Sequence, residues 1–177
     1  MVNQVYRLSA ITMLAVLASS PDTHAEDLGA MWGTAEEEAE YYKVVDIPIP
    51  PGVPMRPGSF EILPDGRLAV GTRRGDVYFV SGAFDDPPNP QYHLFASGQD
   101  EIFGLAWKDG SLTITQFGEV TKLTDTDGDG TADRFDTLSN NWGYAAGHEF
   151  AFGSKHDPDG NIWVVLGLSG SYHSHNL

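Results

Sequence analysis

The chain has no cysteine, and only 10 lysines and arginines stand against 25 aspartates and glutamates in its 177 residues. Without cysteine there is no disulfide framework, no thiolate-held zinc or iron–sulfur cluster and no covalently attached c-type haem, so any metal is held by oxygen or imidazole. The shortage of basic residues leaves a formal net charge of -15, which repels phosphate backbones and excludes nucleic acid as the expected partner. Long apolar runs are lacking as well. The run from Leu8 to Ala18 is about half of the ~20 residues a spanning helix needs, so no stable membrane span is expected after processing.

That run follows a polar start carrying Arg7 and leads to Thr23-His24-Ala25, with small residues at the first and third positions. This is the pattern of a secretory signal over 1–25 cut after Ala25, and it predicts a secreted or periplasmic product. An uncleaved N-terminal anchor is the alternative for the same residues. An acidic leader over 26–40 contains Glu36-Glu37-Glu38-Ala39-Glu40, read as a solvated stretch or short frayed helix. From Tyr41 onward the pattern is that of strands.

Internal repetition sets the expected fold. Phe60 to Val70 reads strand, Asp65-Gly66 turn, strand, and Leu105 to Ile114 repeats it around Asp109-Gly110, 44 residues further on. A third copy runs from Phe150-Ala151-Phe152 through Asp159-Gly160 to Ile162-Trp163-Val164-Val165. Asp-Gly between apolar alternating runs signals a hairpin, because the turn needs positive φ. The match continues: Gly75 to Val80 corresponds to Gly118 to Leu123, and Gln91 to Phe95 to Asp133 to Leu138. Each unit is four strands in about 43 residues, the size of one β-propeller blade. The expected fold is therefore all-β, an incomplete propeller over 41–177 with blades near 56–98, 102–141 and 148–177, about two and a half in all. Since propellers close with four to eight blades, the chain is expected to be the N-terminal portion of a longer protein. A plain antiparallel sandwich is the rival architecture.

In such a blade the turn between its second and third strands, and the link to the next blade, lie at one end. This link end should gather Arg56, Arg73, Arg74, Gln99, Asp100, Glu101, Gln116, Trp142, Tyr144, His148 and Glu149, with His173 and His175 near them. The Asp-Gly hairpins and an acidic loop belong at the other end. His173 and His175, alternate residues of an extended segment, form a weak candidate pair for a transition metal.

The acidic loop, 125–136, carries Asp125, Asp127, Asp129, Asp133 and Asp136 at positions 1, 3, 5, 9 and 12, with Gly130 at position 6 and Thr131 at position 7. This is EF-hand spacing, suited to six to eight hard oxygens around Ca²⁺. Asp136 stands where a bidentate Glu is usual, and the flanks read as strands. A free-standing structural Ca²⁺ loop is expected, the alternative being a solvated Asp/Gly turn.

His148 opens the third blade's first strand at the link end, where a neutral imidazole can accept a hydroxyl proton near pH 7; a satisfied polar histidine is the plain reading. Two stretches add to this. Gly98-Gln99-Asp100-Glu101-Ile102-Phe103-Gly104-Leu105-Ala106-Trp107, and His148 followed by Phe152-Gly153 and Pro158-Asp159-Gly160-Asn161-Ile162-Trp163, resemble segments of the soluble pyrroloquinoline-quinone-dependent glucose and sorbosone dehydrogenases. The resemblance covers roughly residues 55–170. It implies that His148 is the general base, that Gln99 contacts pyrroloquinoline quinone and that the small-molecule substrate is a sugar or alcohol. Arg73 and Arg74, in a link-end turn, are candidates for pairing with the cofactor's carboxylates, against a plain reading as solvated arginines. The sequence departs from the family at Gly147, where Asp is common before the base, at Glu149-Phe150 after it, and at Leu166 to Ser169. Two other functions fit the same sequence: a non-catalytic exported propeller binding a glycan or protein, with Ca²⁺ as a staple, and lactone or ester hydrolysis on a six-bladed ring.

Overall fold

The computed structural model describes residues 3–9, 35–142 and 150–167. In chain order they form β1 (Asn3–Ser9), α1 (Ala35–Ala39), β2 (Tyr42–Pro48), β3 (Pro57–Ile62), β4 (Leu68–Thr72), β5 (Val77–Ser81), β6 (Gln91–Ala96), β7 (Gly104–Lys108), β8 (Ser111–Thr115), β9 (Val120–Thr124), β10 (Arg134–Ser139), β11 (Ala151–His156) and β12 (Ile162–Leu166). The all-β expectation holds, α1 being a single acidic turn and a half within the leader.

The chain divides into two compact units, Met1–Val53 with Phe84–Pro90, and Pro54–Ala83 with Gln91–Leu177. In the first, β1 runs parallel to β2 in continuous register from Asn3 beside Tyr42 to Ser9 beside Pro48. Alternation in β2 buries Val45 and Ile47. Cleavage after Ala25 would strip β1 from β2.

The second unit holds two four-stranded antiparallel sheets, β3-β4-β5-β6 and β7-β8-β9-β10, then the two-stranded β11-β12. No sheet closes on itself among the described residues. The three Asp-Gly glycines have φ of 86° (Gly66), 79° (Gly110) and 89° (Gly160). Only Asp109-Gly110 is a two-residue turn with both residues at positive φ, Asp109 at 49°. The other two are longer. Leu63 N–H donates to Arg67 O at 2.8 Å and Asp157 N–H to Asn161 O at 3.0 Å, enclosing Pro-Asp-Gly in each case. Proline fixes a negative φ at the start of such a loop and leaves glycine alone to turn left-handed.

Registered pairing sorts side chains into faces. In the first sheet Glu61, Ala69, Phe79 and His93 form one row. In the second, Leu105, Ile114 and Thr121, and Trp107, Leu112 and Leu123, share one face, while Ala106, Thr113, Lys122 and Asp136 share the other. One buried cluster joins the first two sheets, with Ala69, Val77, Phe79 and Phe95 from one and Leu105, Leu112, Ile114 and Leu123 from the next. Phe79 stacks on Phe95 at 4.1 Å and meets Trp107 edge-on at 6.1 Å. The junction between the second and third sheets includes a buried polar group: Thr113 and Thr115 face His156 and Ser154.

The first strands of the three sheets, β3, β7 and β11, lie in succession. Glu61 on β3 accepts the Trp107 N–H at 3.5 Å and the Lys155 ammonium at 2.5 Å. On β7 the backbone approach is so close that a Cβ at Gly104 would lie 1.2 Å from Gly153 O.

Candidate functional site

The link end is built by backbone hydrogen bonds that fold the connection after β6 against the β4–β5 turn. Gln99 N–H donates to Gly75 O at 3.1 Å and Ile102 N–H to Thr72 O at 3.2 Å; Phe103 N–H donates to Thr115 O at 3.0 Å. A side chain at Gly75 would collide with Gln99 O, 1.8 Å from its Cβ position. Side chains complete the corner. Asp100 N–H donates to Gln116 Oε1 at 2.7 Å, and Gln116, buried, donates to Thr121 Oγ1 at 2.7 Å. Trp142 Nε1–H donates to Phe117 O at 3.2 Å. Arg73 N–H donates to Arg56 O at 2.7 Å.

Thus Arg56, Arg73, Gln99, Asp100, Glu101, Gln116 and Trp142 do share one end of this unit. The side chains named for a cofactor differ in what they meet there. Arg73 donates to Glu101 through two nitrogens, at 3.0 to 3.3 Å, and its guanidinium lies over the rings of Phe103 (5.4 Å) and Phe150 (5.5 Å). Arg74 is exposed, its N–H bonded to Thr72 Oγ1 at 3.3 Å. Gln99 is half-buried and its Nε2–H reaches Ser97 O at a long 3.4 Å. An aromatic cluster that the sequence reading missed, Phe103, Phe117, Phe150 and Phe152, spans the same corner with centroids 4.6 to 6.0 Å apart. Its sequence signal was the run of phenylalanines at strand starts. His148, Tyr144, Glu149, His173 and His175 lie outside the described residues.

The acidic loop joins β9 to β10 at the hairpin end. One oxygen from each of Asp125, Asp127 and Asp129 falls within 4.8 Å of the others. Asp125 organises the coil, accepting Gly130 N–H at 2.9 Å and Gly128 N–H at 2.7 Å. These bonds, Gly130 first, hold its carboxyl below the usual range. Two further predicted ligands, Asp133 and Asp136, are engaged elsewhere. Asp133 accepts Thr126 Oγ1–H at 2.5 Å and Thr126 N–H at 2.9 Å, which hold it below the usual range too. Asp136, within β10, pairs with Arg134 at 2.9 Å and Lys122 at 4.0 Å. Thr131 N–H donates to Asp129 at 2.7 Å.

An EF-hand brings its twelfth position back through a helix; here the chain leaves as a strand, whose pleat directs Asp136 into the Lys122 row. The loop is not free-standing: Gly130 O accepts from His93 Nε2–H at 2.7 Å and Ala132 N–H donates to Phe95 O at 2.8 Å, docking it on β6 of the preceding sheet. No sequence pattern flagged His93, since the contact spans 37 residues. Chemically, three clustered carboxylates are a hard-oxygen set suited to Ca²⁺.

The chain matches no protein-family model, no curated protein and no solved structure.

Proposed function

We propose that this chain belongs to an exported sugar or alcohol dehydrogenase of the quinoprotein type, a β-propeller to which it supplies consecutive blades, with Ca²⁺ stapling the β9–β10 loop. The observation that carries this reading is the convergence of the Gln99 segment, the Arg73-Arg74 turn and the start of the third sheet at one end of a repeated sheet series. The resemblance of the stretches around Gln99 and His148 to that family supplies the chemistry.

The side chains present fit pyrroloquinoline quinone in part. Gln99 and Arg74 suit a carboxylate-bearing cofactor, the amide being held by one long bond and the guanidinium being exposed. Arg73 does not suit it, because Glu101 and two phenyl rings already take its donors and charge. The cofactor, when bound, supplies the redox chemistry. In this reading the chain's own contributions are hydrogen bonding from the Gln99 amide, positive charge from Arg74, and proton acceptance from a substrate hydroxyl by the His148 imidazole. Asp125, Asp127 and Asp129 would hold Ca²⁺ away from the reacting end.

A specific observation favours a second reading, a non-catalytic exported propeller that binds a glycan or protein: the closed Arg73–Glu101 pair. This chain alone is expected to be inactive, so titration of the complete propeller to which these blades belong with pyrroloquinoline quinone in excess Ca²⁺, followed by dye reduction with sugars and alcohols, separates the two. The dehydrogenase reading expects turnover that is lost in His148→Ala. A folded, Ca²⁺-loaded protein that takes up no cofactor would leave the binding propeller.

A further inference from the structure

β12 is the second strand of the third sheet, the place that β4 and β8 hold in the first two. Those two strands pair on both sides and are buried almost throughout. Among the described residues β12 pairs with β11 alone, and it leaves Trp163 67% and Val165 66% exposed. Edge strands are usually blunted by charge, proline or a bulge. Here the bulge lies on β11, between Phe152 and Lys155, while Ile162-Trp163-Val164-Val165-Leu166 carries neither charge nor proline in a chain of net charge -15. A two-stranded sheet is also marginal by itself.

The two ends of the hairpin fix where the β12 backbone points. Asp157 N–H donates to Asn161 O and Gly167 N–H to Phe150 O, so Asn161 and Gly167 turn toward β11, and by alternation Trp163 and Val165 do too. Ile162, Val164 and Leu166 therefore aim their N–H and C=O groups at the free edge. The side chains of Trp163 and Val165 stand on one face of the strand. The Trp163 ring is already fixed, its Nε1–H donating to Asp157 at 3.0 Å, which lowers the ordering cost for a partner that covers it.

The occupant that fits this edge is a second copy of the chain. Asp157 and Asp159 precede β12, whereas Val164 to Gly167 at its other end are uncharged. Parallel pairing would set two acidic turns side by side; antiparallel pairing sets each turn beside an uncharged end. Antiparallel pairing of identical strands about a two-fold axis is also self-complementary. Centring the axis on Val164 pairs all five residues of the strand. Val164 then lies opposite Val164 of the partner subunit, Ile162 opposite the partner's Leu166 and Trp163 opposite the partner's Val165. The last is an aromatic–β-branched pair, made twice.

We propose that two copies join edge to edge through β12, making a four-stranded sheet with as many strands as each of the other two. The pairing is independent of the cofactor reading.

Sedimentation equilibrium of the full chain tests it, with a dimer expected. Val164→Pro removes the central outward N–H, which β11 does not use, so it should keep the hairpin and leave the chain monomeric. Val165→Lys, which alters both cross-strand pairs, should raise the dissociation constant between about twofold and thirtyfold. The chain has no cysteine, so Val164→Cys supplies a single thiol. Residues opposite each other in an antiparallel pair bring their Cα atoms to about 5.5 Å, within disulfide reach, and this variant should give a disulfide-linked dimer on mild oxidation. Asp159→Cys, exposed in the turn, should not. A chain still monomeric at about 100 μM, the result if residues of the same copy fill the edge, overturns the proposal, as does a dimer that survives Val164→Pro. If Val164→Pro loses the hairpin, the cross-link decides, and Val164→Cys linking no better than Asp159→Cys overturns the pairing.

Discussion

Asp157 shows how much one side chain settles locally. Its carboxylate accepts Asn161 Nδ2–H at 2.9 Å, Trp163 Nε1–H at 3.0 Å and Asn161 N–H at 2.8 Å, closing the third hairpin's turn. These donors, the Asn161 side chain first, pull its pKa to about 2 from an ordinary 3.8. A depressed carboxyl contributes stability that is present above the ordinary value and is lost as pH falls through the folded one. The expected outcome is that β12 amides lose protection between about pH 4 and 2, and that Asp157→Ala removes this step. Asp125 works similarly at the acidic loop. On the proposed calcium role of this loop, Asp125→Asn should weaken Ca²⁺ binding at least roughly tenfold by calorimetry, since even groups that merely orient ligands cost 10- to 100-fold, and absence of Ca²⁺ uptake by the unsubstituted protein would remove that role.

Among the elements, the first strands of the sheets carry the tightest constraint. β7 lies against β11 so closely that any side chain at Gly104 meets the Gly153 backbone, which no rotamer change relieves. Gly104→Ala should therefore cost about 3 kcal/mol, at the upper end of overpacking effects, read as a lowered urea midpoint with unchanged slope. The β9–β10 loop is an element with two attachments, its own sheet and the His93 and Phe95 positions of β6. The spacing of its aspartates was legible along the chain. That Asp133 would turn to Thr126 and Asp136 to Arg134 was not, because a strand exit, unlike a helix exit, sends alternate residues to opposite faces.

For the whole second unit, the two sheet junctions differ in kind. The first is a buried aromatic and aliphatic cluster around Phe79, Phe95 and Trp107; the second combines the rings of Phe103, Phe150 and Phe152 with threonines, a serine and His156, and β11–β12 leaves Phe152, Trp163 and Val165 exposed. Apolar burial stabilises more than an exchange of hydrogen bonds with water does. At neutral pH, β11–β12 should accordingly open before β3–β9 in native-state hydrogen exchange with added denaturant. Equal opening free energies would contradict that ordering. The Lys155–Glu61 pair spans from the third sheet to the first, its ammonium largely solvated and its carboxylate mostly buried.

The sequence by itself determined what depends on neighbours along the chain. Within the described residues of the second unit, alternation at period two, recurrence of Asp-Gly and the spacing of turn residues gave the strands, their antiparallel order and the end at which the β4–β5 turn and the β9–β10 loop lie. These follow from local sterics and pleat geometry. Tertiary structure decided which donors and acceptors meet across the repeats. Arg73 closes on Glu101, His93 reaches Gly130, and His156 is left with an unpartnered nitrogen. Those outcomes rest on separations of 28 and 37 residues and on the packing of one sheet on the next, where burial and competition among partners choose the contact and no local pattern encodes it.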